Sequence, residues 1–151
     1  MSRTISYRGL IGDGEQQQIA LQTIDGLIGY KITKFELMPN NPGVGGPESV
    51  VKIYKTQQSS VDGVIDFSDN RLLGAAFQKT QEDSANTEAG IITIFDNEKF
   101  NQDIYVTAID VRGALKVNYY IELEQMKLDL NEQTVATLKD IRNVGAELYT
   151  L

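Results

Sequence analysis

The stretch from Asp103 to Val111 reads DIYVTAIDV, and it constrains the fold more than any other part of the chain. Ile104, Val106 and Ala108 point one way, while Tyr105, Thr107, Ile109 and Val111 point the other. β-branched and aromatic residues at a period of two suit a strand and not a helix. Arg112-Gly113-Ala114 then reads as a short turn. Val117, Tyr119, Ile121 and Leu123 follow in alternation with Asn118, Tyr120, Glu122 and Glu124. The expectation is a β-hairpin. Beyond Leu123 the apolar residues move to even numbers, at Met126, Leu128 and Leu130. A one-residue slip flips the faces of a flat strand, so a bulge near Glu124-Gln125 is expected.

Shorter strands are expected upstream. Ile28 to Leu37 places Ile28, Tyr30 and Ile32 on one face and Phe35 and Leu37 on the other. Ser49 to Lys55 sets Val51 and Ile53 opposite Val50 and Tyr54. Gly90 to Phe95 is a further strand, and Gln17 to Leu21 a weaker one. Pro39 to Pro47 holds all three prolines and three glycines, hence a loop between strands. Gln78–Ala89 is polar and acidic and reads as another loop.

Two segments have helical spacing. Ser68-Asp69-Asn70 offers a cap for a turn carrying Leu72, Leu73 and Ala76. Asn131 offers a cap for a helix with Glu132 first, Val135, Leu138 and Ile141 as its apolar stripe, and Lys139 and Arg142 last. Acids first and bases last suit the helix dipole. So narrow a stripe places this helix on a surface or against a neighbouring subunit. Neither βαβ alternation nor an internal repeat is visible. The fold class expected is all-β: an antiparallel, jelly-roll-like sandwich with one short C-terminal helix.

Composition narrows the function. At 151 residues one domain is the natural expectation. A chain of this size buries roughly 70% of its unfolded surface. There is no Cys and no His. That excludes disulfides, the usual zinc sites, and Ser-His or Cys-His nucleophilic machinery. The net charge is −7, with +1 over residues 1–60 and −8 over 61–151. Such an acidic body argues against nucleic-acid binding, and its plain reading is solubility. The N-terminus lacks the apolar core of a signal peptide, and no apolar run approaches about 18 residues. Synthesis in the cytosol without an export signal is expected, and no membrane partner.

Candidate sites are few. Gly12-Asp13-Gly14 and Gly43-Val44-Gly45-Gly46 lack the Gly-Lys-Ser/Thr that a phosphate loop needs, so both read as turns. Asp62, Asp66 and Asp69 lack the spacing of a calcium loop, which supplies roughly six to eight oxygens. Asp96, Glu98 and Asp103 surround Phe100. A glycosidase needs two carboxylates held at a fixed separation across a cleft, which spacing in sequence does not establish. No catalytic, cofactor or metal-binding residue is assigned, and no enzyme activity is expected. Tyr119 reads as core packing, while Tyr120 is open to packing, a sugar platform or a subunit contact.

The two ends, 1–18 and 145–151, read as extended arms able to reach a neighbour, the tail by adding a strand to a neighbour's sheet. Packing on their own domain is the alternative. The candidate interface is therefore Ile5 and Tyr7 in the first arm, Pro39, Pro42 and Pro47 in the proline loop, Tyr120, and Leu148, Tyr149 and Leu151 in the tail.

Five stretches together carry a family resemblance. They are GYKITKFELMP from Gly29 to Pro39, ESVVKIYKT from Glu48 to Thr56, and Phe95–Glu98 with Asn101–Val106. Asn118–Glu124 and Leu138–Val144 complete the set. In order and spacing the set resembles small virion structural proteins of marine tailed phages, over residues 29–144. The resemblance implies an accessory virion component with no catalytic residues. A head decoration or cement protein is favoured: a sandwich sitting on the major capsid protein as a homo-oligomer, a trimer by preference. A tail, fibre or baseplate component is the second reading. A carbohydrate-binding module is the third, although the chain has no Trp for ring stacking.

Overall fold

The structure, a computed structural model, describes residues 2–42, 48–79, 90–113, 115–129 and 131–138. The described residues form eight strands: β1 (Arg3–Ile11), β2 (Gln16–Ile19), β3 (Ile28–Pro39), β4 (Glu48–Tyr54), β5 (Leu72–Lys79), β6 (Gly90–Phe95), β7 (Ile104–Asp110) and β8 (Val117–Lys127). A helix, α1, covers 131–138. The strands form two antiparallel sheets, ordered β1-β8-β3 and β2-β7-β4-β5-β6. This order is that of a jelly roll. In a four-plus-four version β6 would lie beside β3. Here its hydrogen bonds go to β5, which leaves sheets of three and five strands.

The core lies between the sheets. Val117, Tyr119, Ile121 and Leu123 of β8 face Ile104, Val106 and Ala108 of β7 and Val51 and Ile53 of β4. Full burial of each such aliphatic side chain stabilises the fold by about 1.5–3 kcal/mol. The expected hairpin of β7 and β8 is corrected by this arrangement, because the two strands belong to different sheets. Both carry an apolar face, and the two faces meet across the core. Asp110 turns the chain between them. Its carboxylate accepts the backbone N–H groups of Leu115 and Glu48, at 2.9 and 3.3 Å, and Gly113 follows at φ +79°. On the other side Gly12-Asp13-Gly14 is the corner from β1 into β2, where Gly14 has φ +76° and donates to the Ala108 carbonyl.

The expected bulge at Glu124-Gln125 is absent, and β8 runs unbroken to Lys127. The bulge sits on β3, where Ile32 pairs with Leu123 and Lys34 with Glu122, leaving Thr33 as the extra residue. It explains why Tyr30 and Ile32 are buried together with Phe35 and Leu37, which strict alternation puts on opposite faces. Leu128, beyond the strand, is buried because it packs on Gly29, where a Cβ would stand 2.5 Å from its Cδ2.

Two further expectations are corrected. The arm expected over 1–18 is not formed by its described residues, 2–18: β1 pairs along its whole length with β8, and β2 pairs with β7. Leu72, Leu73 and Ala76 lie on a strand, not a helical turn. Leu73 is a bulge residue, since Ile53 pairs with Gly74 and Tyr54 with Leu72. That insertion imitates helical spacing. Gln78 and Lys79, read as loop, end the same strand. At the C-terminal side the helix cap is Asp129 and not Asn131. The Asp129 carboxylate accepts the Glu132 N–H at 2.7 Å, and the Glu132 carboxylate accepts the Asp129 N–H at 3.5 Å, a capping box.

Deleting Thr33 should abolish cooperative unfolding, because it turns two of the four buried apolar side chains of β3 to solvent. Thr33→Ala, at the same exposed position, should change stability by less than about 0.5 kcal/mol in urea melts.

Candidate interaction surfaces

The sequence-derived interface residues fall into three groups. Ile5 and Tyr7 are half-buried on the inner face of β1 and pack against the core, so they hold the sandwich together and do not offer a contact. Pro39 closes β3 opposite Val117, and Pro42 beyond it is exposed. Pro47, Leu148, Tyr149 and Leu151 lie outside the described residues, as does the tail 145–151. Tyr120 stands on the outer face of the three-stranded sheet, where its hydroxyl donates to Glu122 Oε1 at 2.8 Å. That hydrogen bond first, and then desolvation, raise its pKa. Beside it, Leu10 and Met38 flank Asn118 across the sheet, and both are exposed. A groove of about 710 Å³ opens there. Tyr119, as expected, faces the core, and its hydroxyl donates to Gln17 Oε1 at 2.8 Å.

Among the described residues the most exposed apolar strand is β6. Ile91, Ile92, Ile94 and Phe95 are 54, 62, 51 and 36% exposed, on both faces of an edge strand without a charge. β6 is the last strand of the larger sheet, and β3 of the smaller sheet approaches it without covering these side chains. An uncapped apolar edge is a site for association with another chain. The expected strand was read from GIITIF, but its exposure was not. An uninterrupted apolar run ordinarily signals burial on both faces. Helix α1 adds Val135 and Leu138, also exposed. Between α1 and the loop before Phe100 runs an open cleft of about 800 Å³, with Lys55, Glu98, Glu132 and Val135 on its walls.

The acidic residues weighed as catalytic are tied into the fold. Glu98 holds Lys55 Nζ with both carboxylate oxygens at 3.1 Å, and Asp96 accepts the Glu98 N–H at 3.1 Å. Asp103 accepts the N–H groups of Leu21 and Gln22 at 2.8 Å and the Gln18 amide at 2.6 Å. Burial works against its charged form, but these hydrogen bonds outweigh it and hold its pKa below the ordinary carboxylate range. Asp62, Asp66 and Asp69 are likewise engaged, by Lys52, Ser68 and Arg71.

Sequence reasoning missed Lys52. It is 2% exposed in the middle of β4, on the outer face of the five-stranded sheet. Its ammonium donates to Asp62 Oδ1 at 2.8 Å and the Val64 carbonyl at 2.6 Å, and stands 5.2 Å from the Tyr54 ring centroid. Burial disfavours this charge, yet the hydrogen bonds to Asp62 and Tyr54 leave the pKa raised. The hydrogen bond from Lys52 lowers that of Asp62. The segment between β4 and β5 is thereby drawn over the sheet. A Lys within SVVKIY, at a position whose neighbours are all apolar, was the available signal.

No family model matches the chain, and no curated protein does. Among solved structures it is similar to a chain from maize chlorotic mottle virus determined by single-particle analysis. The two are 4% identical over 85% of this chain and 95% of that one, with a TM-score of 0.30. It is also similar to VP2 of an infectious bursal disease virus subviral particle, 12% identical over 82% of this chain, with a TM-score of 0.27. It spans 32% of that chain. Scores this low bear on neither fold nor function. Among the described residues, no helix is long and apolar enough to cross a membrane.

Asp62→Ala should cost about 2–3 kcal/mol, since it leaves a buried ammonium short of its partner. Lys52→Met should cost less than about 1 kcal/mol, since Asp62 is solvent-exposed; equilibrium urea denaturation compares the two. The lowered Asp103 pKa stabilises the fold above its unfolded value, and that contribution is lost as pH falls through the lower folded value. Unfolding at successive pH values should therefore show stability falling below pH 3.8, with a shallower fall in Asp103→Asn.

Proposed function

We propose that this protein is a non-enzymatic structural component of a virus particle, and within that class a head decoration or cement protein that binds the major capsid protein as a homo-oligomer. The observation that carries the reading is β6, an uncharged edge strand with four large apolar side chains exposed on a chain of net charge −7. A surface of that kind is stabilised when a partner covers it. The sequence resemblance to small phage virion proteins supports a particle as the place where the partner is met. The jelly-roll order supplies a rigid two-layer body, with Met38, Leu10 and Tyr120 at one surface and Val135 and Leu138 at another for further contacts. The engaged state of Asp96, Glu98 and Asp103, and a composition without His or Cys, favour binding over catalysis.

Binding that occurs only on an assembled shell shifts the equilibrium toward the shell, which is how a cement protein stabilises a head. The test is the mass of the purified protein in solution, followed by co-sedimentation with phage heads lacking it. Expected are an oligomer, trimeric by preference, and particles that survive a higher temperature once the protein is added. Ile92→Lys with Ile94→Lys should leave the monomer's melting unchanged, because both side chains are exposed, while abolishing oligomer and pelleting. Pelleting with tails and not heads would move the assignment to a tail or baseplate component. A monomer that binds neither would overturn the reading.

A further inference from the structure

β6 has two edges, and β5 occupies one of them. In an antiparallel pair, alternate residues turn both backbone groups toward the partner strand, and the residues between them turn theirs away. Asp96, directly after β6, donates its N–H to the Leu73 carbonyl of β5. By that alternation the even-numbered residues of β6 bond to β5. The odd-numbered ones, Ile91, Thr93 and Phe95, turn their N–H and C=O groups to the other edge. Among the described residues no strand pairs there. The side chains alternate too. Ile92 and Ile94 pair with Phe77 and Ala75, which pair in turn with Val50 and Lys52, so they lie on the outer face of the five-stranded sheet. Thr93 pairs with Ala76, a core residue, so Ile91, Thr93 and Phe95 share the inner face.

The strand is complementary to itself. Gly90–Phe95 reads GIITIF, and the pattern is symmetric about Thr93: Ile92 and Ile94 flank it, then Ile91 and Phe95. A second such strand, antiparallel and centred on the same residue, sets Thr93 against Thr93, Ile92 against Ile94 and Ile91 against Phe95. Both members of every pair lie on one face. Pairs of β-branched residues, of an aromatic with a β-branched residue, and of two threonines all favour strand pairing. The backbone agrees, because the residues at and around this axis that hydrogen-bond across it are Ile91, Thr93 and Phe95, whose groups are open. Only with Thr93 at the axis do all residues from Ile91 to Phe95 pair among themselves. Moving the axis to Ile94 sets Ile92 against Asp96. Charge acts in the same direction: two copies of a chain of net charge −7 repel, and β6 brings no charge to the contact. We propose that β6 pairs with β6 of a second copy, antiparallel about a two-fold axis at Thr93, and joins the two larger sheets edge to edge. Each copy then uses the same patch, as a two-fold contact requires. The inference rests on the reading of β6 as the association surface and names the partner there. The family resemblance prefers three copies, whereas a two-fold contact closes at two.

The test is sedimentation equilibrium of the full chain from micromolar to millimolar concentration, where a dimer is expected. Amide hydrogen exchange on the same samples should slow at Ile91, Thr93 and Phe95 as concentration rises, since their N–H groups gain partners only in the dimer. Thr93→Lys and Thr93→Asp each set like charges face to face at the axis, and each should weaken the dimer about tenfold. Mixed in equal amounts, the two variants should dimerise again, because Lys then meets Asp. A parent protein that stays monomeric or forms a trimer, or a mixture that associates no more tightly than either variant alone, would overturn the pairing. Co-sedimentation with heads is read separately. A monomer that pellets with heads removes this inference and keeps the virion reading, while a dimer that pellets with neither heads nor tails keeps the pairing and removes that reading.

Discussion

Val117, Tyr119, Ile121 and Leu123 project from β8 into the space between the sheets, and the rest of the molecule is arranged around them. β8 is the middle strand of its sheet, and β1 and β3 pair along its two edges. Without the apolar side chains of β7 and β4 facing it, the three-stranded layer would have one wet face too many. β1 yields to this packing at Gly9, where any Cβ would come within 2.7 Å of the Tyr119 hydroxyl. β3 yields through its bulge at Thr33, which brings four large residues inward from a strand that alternation would divide.

The outer face of the larger sheet follows a different rule. Its central strand, β4, is buried on both faces, so the loop between β4 and β5 has to cover it. Lys52 fixes that cover by a charge held under the loop, with Asp62 at the rim in contact with water. A buried ammonium satisfied from an exposed carboxylate makes the attachment directional. Losing the acid strands the charge, while losing the base strands little.

The unequal sheets connect the fold to the proposed function. Pairing β6 with β5 extends one layer and shortens the other, and the strand so displaced is the most apolar exposed element described. A β-sandwich that met no partner would gain from a charge or a proline on such an edge. Gly90–Phe95 carries neither.

The sequence by itself determined the fold class, because period-two runs at Ile28, Val50, Ile104 and Val117 permit strands and forbid helices. It also determined what chemistry is missing, through the absence of His and Cys, and it placed α1 to within two residues of its cap. Two strands escaped it for local reasons. Gly9 interrupts the Ile5, Tyr7, Ile11 alternation because Tyr119 fills its space, and the Leu73 bulge gives β5 helical spacing. Only the tertiary structure decided which strands share a sheet. A strand's side chains show which face is apolar, but its backbone hydrogen-bonding edges are alike in every strand. So Ile104–Asp110 and Val117–Lys127 look like a hairpin in sequence and are opposite walls of a core in space. The exposure of β6 and the burial of Lys52 were decided there too. Each depends on what lies above a strand, and that neighbour is far away along the chain.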